Sequence, residues 1–150
     1  MSTGTAAIQF HYQYRSFSLP ARTELKAFLL RLARTEKQKI EQVNYIFCSD
    51  EYLLQLNRSY LNHDTLTDII TFPFNSPGQP LVSDIYISIE RVRENAGLFN
   101  SSLNRELHRV IFHGLLHLCG YKDKTKDQAL LMRNKEETYL NKYFVPRGTT

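Results

Sequence analysis

The sequence predicts one α+β domain over residues 1–150, a four-stranded mixed sheet packed by about five helices with one helix at the centre. Three observations predict it. Segments of period 2 and stripes of period 3.6 follow one another in the order β-α-β-α-β-β-α-α-α. One helical segment is apolar around nearly its whole circumference, which suits only a core position. No linker, internal repeat or low-complexity tract divides the 150 residues, a length that buries roughly 70% of its unfolded surface without help from a disulfide or structural metal.

Ile8, Phe10, Tyr12 and Tyr14 alternate with Gln9, His11 and Gln13, the pattern of a strand with one buried face. After Pro20, Leu25, Phe28, Leu29 and Leu32 form one helical stripe that fades near Arg34–Lys39. Val43 to Cys48, β-branched and aromatic, is a second strand, and Ser49-Asp50 caps a helix running to about Tyr60. Leu61 to Leu66 is a surface loop. Thr67 to Phe72 is a short strand ended by Pro73, the turn formers of 75–80 follow, and Leu81 to Ile89 returns as its hairpin partner. The chain is helical from Arg91 until Gly97 interrupts it. Asn100-Ser101-Ser102 then caps a long helix, Leu103 to Cys119, that Gly120 can end in a left-handed conformation. Val110, Ile111, Phe112, Leu115, Leu116 and Leu118 make this the central helix. A last helix, Lys126 to Tyr143, carries Ala129, Met132, Tyr139 and Tyr143 on one stripe.

Composition narrows the function classes. The net charge of +4 favours a polyanionic partner without identifying one. Two cysteines, Cys48 and Cys119, form no disulfide framework and suit a reducing cytoplasm. The first residues lack a basic and apolar leader, and no apolar run approaches 18 residues, so secretion and membrane insertion are not expected. The aromatic residues form no ribonucleoprotein-type signature, and Phe10, Tyr12 and Tyr14 suit the core.

Chemistry concentrates in His113-Gly114-Leu115-Leu116-His117-Leu118-Cys119-Gly120-Tyr121-Lys122-Asp123. Histidines four apart on a helix differ by only about 40° around its axis, so both imidazoles can face one ion. The glycine turn can bring Asp123 back to the same point, leaving a fourth position for water, as in a catalytic zinc site. On this reading the central helix is the metal-bearing one; the alternative is one core histidine and one surface histidine. Zinc proteases of the metzincin type share the spacing but need a glutamate after the first histidine, where this chain has Gly114. Glu106 shares the histidine face but lies about 10 Å along the axis, too far to serve as that base. Peptide hydrolysis is disfavoured.

The same residues resemble the signature His-Gly-x-Leu-His-Leu-x-Gly-Tyr-Asp-His of the YbeY family, bacterial metal-dependent endoribonucleases of rRNA maturation. Leu56-Asn57-Arg58-Ser59-Tyr60 with Thr67-Asp68-Ile69-Ile70-Thr71-Phe72-Pro73 resembles two further elements of that family, and Asp84-Ile85-Tyr86-Ile87-Ser88 a third. The likeness spans about residues 40–140. It implies a single-strand-specific endoribonuclease that binds one zinc or other divalent ion and matures small-subunit rRNA, with the ribosome and an Era-type GTPase as partners and neither membrane nor DNA specificity.

Four positions depart from the pattern. Lys122 stands in place of the family aspartate and Asp123 in place of its third histidine. Read without a gap, His113, His117 and Asp123 are the metal ligands; read with Lys122 as an insertion, Lys124 takes the third place and the triad is broken. Leu61 replaces an arginine, and a leucine cannot hold a phosphate, so substrate positioning comes from elsewhere or is weaker. Ser83 replaces a glycine. The expected catalytic set is His113, His117 and Asp68, with Asp84 an alternative general base. Arg58, Thr67, Lys122 and Lys124 are candidate substrate contacts, and Lys126 joins those lysines near the loop. Ser88 reads as a helix cap, while His63 and His108 read as solvent-facing. The rival reading is a non-catalytic ribosome-assembly or rRNA-binding factor with a structural metal; a metal-dependent hydrolase of another substrate comes third.

Overall fold

The computed structural model describes residues 7–62 and 66–149, with side chains through Phe144. The elements are β1 (Ile8–Tyr12), α1 (Arg22–Thr35), β2 (Ile40–Cys48), α2 (Asp50–Tyr60), β3 (Ile69–Pro73), β4 (Leu81–Ser88), α3 (Ile89–Leu98), α4 (Leu103–Leu118) and α5 (Lys126–Thr149). Their order is the one the periodicities predict. The four strands form a single sheet, β1-β2-β4-β3, in which β1, β2 and β4 run parallel and β3 pairs antiparallel with β4. The mixed α+β sheet is thus as expected. No helix among the described residues is long and apolar enough to cross a membrane.

Boundaries moved where individual hydrogen bonds rather than hydrophobic period set them. The first strand stops at Tyr12 because the amides of Gln13 and Tyr14 both turn onto the Phe47 carbonyl. β4 ends one residue early, at Ser88, whose hydroxyl accepts from the Arg91 amide and so starts α3 at Ile89. That is the cap expected of Ser88. Gly97 does not interrupt α3; the helix ends beyond it at Leu98 with Phe99 as C-cap, and Asn100 makes the turn at φ 57°. Gly120, at φ 112°, follows α4 as expected of a left-handed terminator.

The sheet buries its two faces unequally. One face packs with α1, α4 and α5 into a core containing Leu29, Val43, Ile85, Ile111 and Leu140. The other carries α2, over Cys48, Leu53 and Ile70. Two devices seat α4. The Tyr45 hydroxyl donates to the Ile111 carbonyl at 3.0 Å, which satisfies a fully buried polar group. Gly114 lets the helix lie against the sheet: a Cβ there would come within 2.9 Å of Ile69 Cδ1 and 3.2 Å of Ile85 Cγ2. A side chain at 114 would require the Ile69 and Ile85 side chains to shift.

One expectation about histidines is overturned. His108 is 2% exposed, stacked on Tyr143 at 5.2 Å, with Nδ1 2.7 Å from the Asn104 carbonyl. Apolar neighbours on both α4 and α5 outweigh its polarity once one ring nitrogen has a backbone partner. His63 lies outside the described residues.

Candidate metal and RNA site

A cavity of about 560 Å³ opens between α4, the start of β3, the C-terminal end of α3 and α5. That volume is within the roughly 300–1,000 Å³ usual for small-ligand sites. Its lining brings together Thr67, Asp68, His113, His117 and Asp123 from the expected set. Arg58, Lys122 and Lys124 are exposed and outside the lining. Arg58 rides on α2, across the sheet. Asp84 faces the side opposite Ile85 and accepts from Asn44 Nδ2 at 3.1 Å, so the alternation that buries Ile85 against α4 removes Asp84 from the cavity.

The two imidazoles are oriented through the same nitrogen. His113 Nδ1 donates to Glu136 Oε2 at 2.7 Å, and His117 Nδ1 donates to the Tyr121 carbonyl at 3.1 Å. Each Nε2 is left as the nitrogen available to a ligand. A carboxylate or carbonyl behind an imidazole is the arrangement that orients histidine ligands of metals. His113 Nε2 also lies 3.4 Å from Asp123 Oδ2. Two atoms bound to one tetrahedral zinc at about 2.1 Å each are separated by about 3.4 Å, so this pair suits a shared ion. Among the described residues, no three His, Cys, Asp or Glu side chains form a finished metal-holding group. His117 shares the cavity with the His113–Asp123 pair rather than closing it.

The electrostatics follow from burial. Burial alone would push the His113 imidazole down, but its hydrogen bond to Glu136 and the charges of Glu136, Asp123 and Asp68 outweigh it, and its pKa is raised. Burial lifts the Asp68 carboxyl above the ordinary aspartate value, with the His113 charge partly opposing. Burial likewise raises Glu106 against the pull of Arg109. Arg109 neutralises the acidic wall: Nε is 3.4 Å from Glu106, Nη1 3.4 Å from Glu136 and Nη2 2.5 Å from Glu137.

Glu136 is the candidate-site residue that the sequence did not point to. It stands on the α5 stripe with Ala129, Met132, Tyr139 and Tyr143, so an acid at an apolar position was the available signal. Its partner His113 is 23 residues away, and local spacing cannot specify that contact.

A second hub braces the post-turn loop. Tyr121, whose carbonyl holds His117, donates its hydroxyl to Glu36 Oε1 at 2.8 Å; Tyr139 donates to Glu36 Oε2, and Lys135 Nζ reaches the same oxygen at 3.2 Å. Burial would raise the Glu36 carboxyl, but the hydrogen bonds from Tyr139, Tyr121 and Lys135 bring it below the ordinary value. A depressed carboxylate stabilises the fold above its unfolded pKa, near 4.3, and loses that contribution as pH falls through the folded value. Glu36→Gln is therefore expected to cost about 1–3 kcal/mol at pH 7. The gap from wild type should close as pH drops below about 4. Thermal melts at stepped pH check it, and a gap independent of pH would reject the charge as its source.

The chain is similar to known proteins along most of its length. A family model described as endoribonuclease YbeY matches residues 8–144. The chain belongs to the YbeY family. Proteins named endoribonuclease YbeY include one from Cytophaga hutchinsonii, 49% identical over 134 residues, covering 89% of this chain and 94% of that protein. Another, from Flavobacterium psychrophilum, is 47% identical over 141 residues and covers 94% and 99%. The solution structure of TM1509 from Thermotoga maritima superposes with a TM-score of 0.60 at 28% identity, covering 93% of this chain and 90% of that one. Within this YbeY-family chain, the residue past the glycine turn that touches His113 is Asp123, while Lys124 lies outside the cavity lining.

Proposed function

We propose that this protein is a metal-dependent endoribonuclease that cleaves single-stranded RNA during maturation of the small ribosomal subunit. The observation that carries this reading is a pair of imidazoles, each fixed through Nδ1, sharing one cavity with a carboxylate 3.4 Å from His113 Nε2, in a chain of the YbeY family. His113, His117 and Asp123 are the residues that would hold a divalent ion, zinc first. Bound there, the ion would polarise a phosphodiester oxygen or lower the pKa of water.

The chain's own groups do the rest. Glu136 fixes the His113 ring, and the Tyr121 carbonyl fixes that of His117. Asp68, whose proton affinity burial has increased, lines the same cavity and takes a proton from the attacking oxygen. Thr67, beside it, is a substrate contact, and Lys122 and Lys124 on the adjoining loop attract the phosphate backbone from outside the cavity. A cytoplasmic location, with the small ribosomal subunit and an Era-type GTPase as partners, belongs to the same proposal.

Elemental analysis of tag-free protein, paired with cleavage of labelled rRNA fragments, tests the reading. About one equivalent of divalent metal per chain, reduced in Asp123→Ala, with cleavage abolished by chelator, is the expected result. Cleavage that survives chelation would reject metal dependence. RNA binding without cleavage would assign the chain instead to the non-catalytic assembly factors.

A further inference from the structure

A polyanion entering this cavity meets four carboxylates in the lining, Asp68, Glu106, Asp123 and Glu136, and two guanidinium groups, Arg109 and Arg133. The two arginines are not equivalent. The Arg109 side chain is 13% exposed and already contacts Glu106, Glu136 and Glu137. Turning it toward a ligand would break its contacts with all three acids at once. The Arg133 side chain is 52% exposed, and its ion pair with Glu136 is 3.6 Å long, beyond hydrogen-bond reach. Its planar set of five N–H donors is therefore available at the cavity mouth for a phosphate. Leu61, standing where the family pattern has an arginine, offers no such donor and is not part of the lining.

The end of α3 also contributes to the lining. Phe99, its C-cap, is 59% exposed and pairs with no other ring among the described residues. A large aromatic face left in solvent beside a polar cavity suits a flat ligand. Unpaired nucleobases stack on such faces with little sequence preference, whereas bases inside a duplex present no free face.

We propose that Arg133 and Phe99 form a one-nucleotide holding site at the mouth of the cavity, Arg133 taking a backbone phosphate and Phe99 stacking an adjacent base of single-stranded RNA. The pair supplies what Leu61 lacks. Because α5 carries both Arg133 and Glu136, the phosphate held by the first lies one helical turn from the carboxylate that orients His113. The site deepens the endoribonuclease reading and rests on it for the substrate class.

Steady-state cleavage of a fluorescent single-stranded RNA, run beside anisotropy binding of the same RNA under chelation, tests the pair. Both side chains are more than half exposed, so the variants should keep the fold, which a thermal melt verifies. Arg133→Gln is expected to raise KM and the chelated Kd about tenfold, to change kcat less than about threefold, and to flatten the salt dependence by about one phosphate contact. Arg133→Lys should recover part of the affinity. Phe99→Ala should raise KM at least about fivefold with the salt slope unchanged; Phe99→Tyr should restore it and Phe99→Leu should not. Wild-type KM and salt slope in Arg133→Gln, or equal behaviour of Phe99→Leu and Phe99→Tyr, would overturn the proposal. If wild type binds RNA through these two residues but never cleaves it, the holding site stands and the nuclease reading falls.

Discussion

Replacing His113 by alanine should lower kcat/KM for RNA cleavage by about a thousandfold or more, equivalent to about 4 kcal/mol of transition-state stabilisation. Three contacts converge on this one ring. Its Nδ1 meets Glu136 at 2.7 Å, its Nε2 meets Asp123 at 3.4 Å, and its charge opposes the upward shift of Asp68. Removing the imidazole takes away a candidate metal ligand and leaves Glu136, 5% exposed, without one of its partners. Glu136→Gln is the informative companion. It keeps volume and an acceptor for Nδ1 but loses charge, so activity should fall by only about 10–100-fold, the range for groups that orient a metal ligand from behind. Single-turnover cleavage with saturating divalent ion measures both. A His113→Ala protein that cleaves at the wild-type rate, or a Glu136→Gln loss as deep as that of His113→Ala, would contradict these roles.

Phe112→Ala should bring the largest loss of stability, about 3–5 kcal/mol, as expected for emptying a buried aromatic site. Phe112 is fully buried on α4, with ring centroids 5.3 Å from Phe28, 5.9 Å from Tyr143 and 6.1 Å from His108. Helices α1, α4 and α5 all lose a contact at once, so no single neighbour can collapse into the space. For a chain of this length the melting temperature should drop roughly 6–20 °C. Circular dichroism melts measure it; a drop under about 2 °C would mean that the aromatic cluster repacks. Because Phe112 precedes His113 on the helix, residual activity measured well below the melting temperature separates loss of fold from loss of site geometry.

The two histidines of the site and the one in the core show how far local pattern carries. His113 and His117 are recognisable because their spacing on one helix is a property of neighbours in the chain. His108, on the same helix, looks polar in sequence yet is buried against Tyr143, since the deciding residue comes from α5. Asp84 and Asp68 differ in the same way. Both precede an isoleucine in a short β-rich run, but the pairing of β3 with β4 and the seating of α4 put one on the far face and the other in the cavity.

The sequence by itself determined the order of elements, the mixed-sheet α+β class, the central helix and the His113–His117–Asp123 candidate set, because hydrophobic period, capping residues and ligand spacing are all encoded within a few residues of one another. Only the tertiary structure decided that Glu136 stands behind His113, that Glu36 braces the loop through Tyr121, that α2 and Arg58 lie across the sheet, and that Arg133 rather than Arg109 has donors to spare. Each of those facts is a contact between groups far apart in the chain. Such contacts are selected by how whole faces pack, and no local spacing records them.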